Sequence, residues 1–224
     1  MMKILIINPV KTNKWDKKDT ILAKEIASKD TLIDVFSFQE GPLSIETPED
    51  EAEAIPLIVK FAIKNWKAYN AIIVNCFLDP AVSLLKGIIK IPVVGPCEAS
   101  LALASIIGKK IGIITVNDKA IWMIEDRVNE LNFKDYVIHI SGIPIGVLDI
   151  DENIEYTKKL IIEESIKANK KGCEVIILGC TALAGLAKEI QDNIELPVID
   201  PFGAAIKVAE SLIKLNLYNS RYGK

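Results

Sequence analysis

Two cysteines, Cys76 and Cys180, follow short aliphatic runs, Ala71-Ile-Ile-Val-Asn75 and Val175-Ile-Ile-Leu-Gly179. A thiol titrates near about 8.5, close enough to neutrality to serve as either base or acid. A matched pair of thiols suits one reaction above all, the inversion of a carbon stereocentre. One sulfur, as thiolate, removes a proton from one face while its partner, as thiol, delivers a proton to the other. The two titrations would be coupled. No metal or organic cofactor is needed where the C–H bond is acidic enough. In parallel α/β sheets ligands bind outside the carboxyl ends of strands, which is where these runs place both cysteines. Helices expected to start near Asp79-Pro80 and Thr181-Ala182 would add N–H groups and a positive dipole, favouring thiolate and an enolate-like oxygen.

A cysteine after an apolar run is often only a small buried hydrophobe. An internal repeat weighs against that here. Ile91-Pro-Val-Val-Gly-Pro96 recurs as Leu196-Pro-Val-Ile-Asp-Pro201, and the run ending in Cys76 lines up with the run ending in Cys180. Lys3-Ile-Leu-Ile-Ile-Asn8 resembles Lys110-Ile-Gly-Ile-Ile-Thr115 at a similar offset. Three matches in order indicate two homologous halves. Equivalent cysteines at equivalent strand ends are hard to ascribe to packing. A redox disulfide is disfavoured if the compartment is reducing.

The elements that must position the thiols alternate along the chain. Strands are expected at Lys3–Ile7, Leu32–Ser37, Ala71–Asn75, Pro92–Val94, Lys110–Thr115, Tyr136–Ile140, Glu174–Leu178 and Pro197–Ile199. Amphipathic helices are expected at Asp16–Ser28, Pro48–Trp66, Asn117–Leu131, Ile154–Lys171 and Pro201–Leu215, with Asn117 and Asp151 as caps. Continuous β-branched runs between helices predict an α/β fold of parallel sheets covered on both faces. The expected division is a first lobe of residues 1–97 plus 202–224 and a second of 98–201, joined twice and enclosing one cleft.

Half of the 224 residues are apolar and 25% are charged, the balance of a well-cored soluble domain. A net charge of -3 gives no electrostatic case for nucleic acid or an anionic membrane. No run approaches the roughly 18 apolar residues of a membrane span, and no signal peptide is visible. A cytoplasmic protein is expected. With one histidine and no C-x-x-C, a zinc site is poorly supported. Arg127 and Arg221 are the only arginines, which disfavours a strongly anionic substrate.

At Asn75-Cys-Phe-Leu-Asp-Pro80, Gly95-Pro-Cys-Glu-Ala-Ser100 and Leu178-Gly-Cys-Thr181 the chain resembles the aspartate/glutamate/hydantoin racemase superfamily, most closely its hydantoin and allantoin branch. The resemblance runs from Ile7-Asn-Pro9 to Asp200-Pro-Phe202. It implies two pseudosymmetric Rossmann-like lobes, each with a four-stranded parallel sheet, and an active site in the cleft between them. It implies a cofactor-free two-base racemase with Cys76 and Cys180 as the acid/base pair, a small-molecule substrate and frequent homo-oligomerisation. Substrate contacts would fall on Asn8, Asn75, Phe77, Thr181 and the backbone N–H groups after each cysteine, with Thr115 a secondary candidate as the repeat counterpart of Asn8.

Some positions depart from the branch, which usually reads Asn-Pro-Asn where this chain reads Asn8-Pro9-Val10, and Ala-Gly-Met after the second cysteine, where Thr181 stands. Thr181 is similar to the amino-acid racemases. The function expected is racemisation of a 5-substituted hydantoin or related cyclic ureide. An aspartate- or glutamate-type racemase is the rival within the superfamily, and a non-catalytic two-lobed sensor is the rival outside it. Cys97, Cys173, His139, Trp15 and Trp66 are expected to pack or to line the cleft edge, Asp79 and Asp200 to cap helices, and Glu98 to anchor the cleft or complement a helix dipole.

Overall fold

The computed structural model describes residues 1–223. In chain order the elements are β1 (Met2–Asn8), α1 (Asp16–Ile26), β2 (Thr31–Ser37), α2 (Pro48–Asn65), β3 (Ala71–Val74), α3 (Val82–Ile88), β4 (Val93–Val94), α4 (Pro96–Ile107), β5 (Ile111–Val116), α5 (Ile121–Glu130), β6 (Val137–Ile143), α6 (Ile154–Lys170), β7 (Val175–Leu178), α7 (Ala187–Gln191), β8 (Val198–Ile199) and α8 (Pro201–Lys214). They make two compact units, one of Met1–Pro96 with the chain from Phe202 onward, the other Cys97–Pro201.

Each unit contains one four-stranded, all-parallel sheet, and the orders correspond: β2-β1-β3-β4 in the first, β6-β5-β7-β8 in the second. The duplication extends to single backbone bonds. Asn75 N–H donates to Ile7 C=O at 2.8 Å, and Gly179 N–H to Ile114 C=O at 2.7 Å. Ile72 to Pro92 and Ile176 to Pro197 are both 2.9 Å. Asn70 to Lys3 and Glu174 to Lys110 are both 2.7 Å.

Burial follows strand position. Central β3, β5 and β7 are buried along their whole length, as their unbroken aliphatic runs require, whereas edge strands β2 and β6 mix exposed and buried residues. The other edge of each sheet is blunted by a side-chain amide. Asn219 Oδ1 accepts from Val93 N–H in β4, and Gln191 Oε1 accepts from Val198 N–H in β8.

Local signals place the helices. Thr47 and Asp50 form a reciprocal capping box ahead of Pro48 in α2. Two expected caps differ. Asn153, not Asp151, caps α6, accepting from Tyr156 N–H. Asn117 adopts φ 42 and accepts from Lys119 N–H, making a turn that delays α5 to Ile121. Strand β6 runs on to Ile143, past the expected end at Ile140, because its pairing with β5 continues as Thr115↔Gly142 and Val116↔Ile143. No helix among the described residues is long and apolar enough to cross a membrane.

His139 is half-buried in β6, with Nδ1 3.3 Å from Lys171 Nζ and a buried Nε2 that has no hydrogen-bond partner among the described residues. Burial lowers its pKa below 6.5, the Lys171 charge lowers it further, and Glu164 partly opposes them. A base whose folded pKa is depressed binds its proton more readily unfolded. Stability is therefore fully present above about pH 6.5 and falls as pH drops toward the folded pKa. Thermal melts from pH 8 to pH 5 should show this decline. His139→Gln should flatten it, and an unchanged slope in that variant would remove His139 from the account.

Candidate active site

In the first unit β3 ends at Val74, and the next residues turn sharply. Cys76 N–H donates to Val74 C=O at 2.9 Å, and Asp79 N–H closes on Cys76 C=O at 3.0 Å. Asp79 and Ala81 both adopt left-handed backbone, φ 52 and 61, before α3 begins. In the second unit Cys180 is extended, at φ -150 and ψ 131, and a single 3-10 turn over Thr181–Leu183 comes after it. The sequence predicts helix starts near Asp79-Pro80 and Thr181-Ala182; the first falls two residues later, at Val82, and the second is only a 3-10 turn. The short α7 begins only at Ala187. Tight turns stand there because Asp79-Pro80-Ala81 and the left-handed Gly185 break helical continuity.

None of the four cysteines takes part in a disulfide. Cys76 and Cys180 are half-buried, whereas Cys97 and Cys173 are buried. Burial pushes the Cys173 thiol up, partly opposed by Lys171. Cys97 and its repeat counterpart Phe202 are both fully enclosed, which is the packing role expected of Cys97. Partial exposure thus separates the strand-end pair from the other two thiols.

Behind Cys76 lies a buried polar network that the motifs do not reveal. Asn8 Nδ2 donates to Asp19 at 2.9 Å and to Asp16 at 3.2 Å, and Asn8 Oδ1 accepts from Asn75 Nδ2 at 2.7 Å. Asn75 Nδ2 also lies 3.5 Å from Asp19, and Ser37 Oγ donates to Asp16 at 2.5 Å. Asn8 is only 3% exposed, and both ends of its amide are engaged. The structure therefore gives Asn8 a bracing position, holding Asn75 beside Cys76. The available signal is the pair Asp16 and Asp19, three apart in the first turn of α1 and so on one helix face.

The second unit reaches the same end with smaller parts. Thr115 Oγ1, buried, donates to the carbonyl of Gly179 at 3.0 Å. A Cβ on Gly179 would stand 2.8 Å from Ile113 Cγ2, 2.9 Å from Thr115 Cβ and 3.2 Å from Thr115 Cα. Since backbone is among those contacts, Gly179→Ala should cost about 1–3 kcal/mol by overpacking and displace Cys180. A melting curve and a turnover assay should both fall; normal turnover would show that the approach of β5 to Gly179 is not needed.

Phe77 is buried and Thr181 half-buried, each directly after its cysteine. Trp15 is buried at the start of α1, with an indole N–H that has no partner among the described residues, and Trp66 stacks edge-on with Tyr222 at 6.5 Å. Glu98 lies in the first turn of α4, where it complements the helix dipole. Asp200 directly precedes α8, and its carboxylate accepts from Gly185 N–H at 2.6 Å. No group of three or more His, Cys, Asp or Glu among the described residues is arranged to hold a metal ion.

Fold and site define a duplicated α/β protein with one accessible strand-end thiol in each copy. A sequence model described as Asp/Glu/Hydantoin racemase matches residues 4–209. The chain belongs to that family and is an isomerase of the racemase class. It is 32% identical over 222 residues to a hydantoin racemase of Pseudomonas sp. (strain NS671), covering 98% of this chain and 89% of that protein. The solved allantoin racemase from Klebsiella pneumoniae matches with a TM-score of 0.94 and 26% identity, covering 100% of this chain and 92% of the other. Allantoin racemase from Pseudomonas fluorescens matches at 0.93 and 25%, covering 98% and 94%.

Proposed function

We propose that the protein racemises a 5-substituted hydantoin or a related cyclic ureide such as allantoin, using Cys76 and Cys180 as a pair of bases. One observation carries the proposal: the two half-buried thiols occupy the same place in two copies of one sheet, after β3 and after β7. The relatives named hydantoin and allantoin racemase favour a ureide as substrate.

One thiolate takes the α-hydrogen as a proton, forming S–H, while the C–H electron pair moves toward the adjacent carbonyl as an enolate. The second thiol gives its proton to the opposite face of that carbon and becomes thiolate. The substrate leaves inverted, with the protonation of the pair exchanged. A ureide ring acidifies this hydrogen and carries no free carboxylate. That suits a chain whose two guanidinium groups are engaged by Glu130 and Ser83. The reaction requires both sulfurs to reach one carbon from opposite sides, and calls for no cofactor and no partner beyond a small molecule.

The test is incubation of single-enantiomer hydantoins, allantoin, aspartate and glutamate in heavy water, following optical rotation and α-deuteration. Loss of rotation with deuterium entering the α-position of a ureide is the expected result. Racemisation of the amino acids with ureides untouched would transfer the assignment to the amino-acid branch. No turnover of any of them would favour a ligand-binding role.

A further inference from the structure

Each cysteine-bearing turn meets the junction after the last strand of its sheet where a carboxylate lies against a glycine, and the two residue types are exchanged between the copies. In the first unit the acid is on the turn. Asp79, 2% exposed, sets its carboxyl group directly against Gly95, where a Cβ would collide with all three carboxyl atoms. In the second unit the acid is on the junction. Asp200, which occupies the place of Gly95 in the repeat, accepts from the N–H of Gly185, a glycine at φ 89 in the segment after Cys180.

We infer that Asp79 and Asp200 are positioning residues, Asp79 for Cys76 and Asp200 for Cys180. The inference rests on the two-thiol reading. Asp79 also closes the turn through its own N–H on Cys76 C=O at 3.0 Å, so its carboxyl group and its backbone fix one thiol between them. The 2.6 Å bond from Gly185 to Asp200 has the length of a charge-assisted contact, stronger than a neutral one. It ties the segment after Cys180 to a proline-stiffened helix start. Proton transfer between heavy atoms tolerates little misplacement: about 1 Å can cost about a hundredfold in rate.

The test uses Asp79→Asn and Asp200→Asn in the full chain, each keeping an acceptor oxygen and the side-chain shape. For the ureide that is turned over, kcat, KM and the α-deuterium isotope effect are measured from each enantiomer. Each variant should lose about 10- to 100-fold in kcat with KM within about threefold. The isotope effect should rise for one enantiomer in Asp79→Asn and for the opposite enantiomer in Asp200→Asn. A displaced thiol slows its own proton transfer, so the effect is expressed from the enantiomer that it deprotonates and suppressed from the other.

Site-resolved alkylation with iodoacetamide, read by peptide mass spectrometry across pH, serves as a second measurement. Asp79→Asn should shift the profile of Cys76 alone, and Asp200→Asn that of Cys180 alone. Should Asp79→Asn not fold, Asp200→Asn decides, since its bond lies at an exposed position. Changes shared equally by both enantiomers or both cysteines, or no change, would overturn the inference. The two-thiol reading fails separately, through normal racemisation by Cys76→Ala or Cys180→Ala, and the alkylation result then still judges the fastening.

Discussion

Cys76→Ala and Cys180→Ala should each reduce racemisation by about a thousandfold or more, the range expected when a general acid or base is deleted from proton transfer at carbon. The physical reason is that inversion needs both faces served. Without one sulfur the carbanion can still form from the remaining side, but it is returned to that same side. Each variant should therefore exchange the α-hydrogen of one enantiomer with heavy water while leaving its configuration unchanged, and the two variants should choose opposite enantiomers. Both thiols are half-buried, so truncation leaves no sealed cavity, and melting temperatures should stay near that of the parent. Chiral chromatography alongside proton exchange measures both quantities. Either variant inverting its substrate at near-parental rate would rule out the two-base assignment. Loss of exchange from both enantiomers in both variants would mean that the sulfurs act as a unit and not as separate bases.

Much of this arrangement is legible in the sequence because duplication writes it twice. Unbroken aliphatic runs announce buried central strands, and the recurring Pro-Val segments fix β4 and β8 although each is only two residues long. The turns after the cysteines are less legible. A helix start is the common sequel to a parallel strand, but left-handed residues at 79 and 81 delay α3 to Val82, and after Cys180 a 3-10 turn over Thr181–Leu183 stops short of left-handed Gly185. Asn8 is legible as a polar group at a strand end, but its bonds to Asp16, Asp19 and Asn75 are not. Those partners come from α1 and from the residue after β3, so no local pattern carries the information. The carboxylate–glycine fastenings are hidden for a related reason. Asp79 and Asp200 each precede a proline and so read as helix caps, a local reading that gives no sign of their reach to Gly95 and Gly185 in a different segment.

Replacing Glu210 should give the largest loss of stability. This residue of α8 is 3% exposed, and four donors converge on it: Thr31 Oγ1 at 2.6 Å, Ser28 N–H at 2.7 Å, Ser28 Oγ at 3.0 Å and Lys207 Nζ at 3.0 Å. The chain leaves the first unit at Pro96 and rejoins it at Phe202, so this carboxylate fastens the returning helix to the start of β2. Burial alone would raise its pKa. The bonds from Thr31, the Ser28 backbone, Lys207 and the Ser28 hydroxyl outweigh burial and hold it at about 2, against an ordinary 4.5. A depressed carboxylate contributes stability that is fully present above about pH 4.5 and is lost as pH falls toward 2, a span worth about 3 kcal/mol. Glu210→Ala removes the charge and leaves Ser28 N–H and the Thr31 hydroxyl without their acceptor, which should lower the melting temperature by about 6–12 °C at neutral pH. Glu210→Gln keeps the shape and one acceptor oxygen, so it should lose part of that stability and most of the dependence on acid between pH 4.5 and 2. Parent and Gln variant melting in parallel through that acid range would show that the carboxylate charge is not what holds α8 in place.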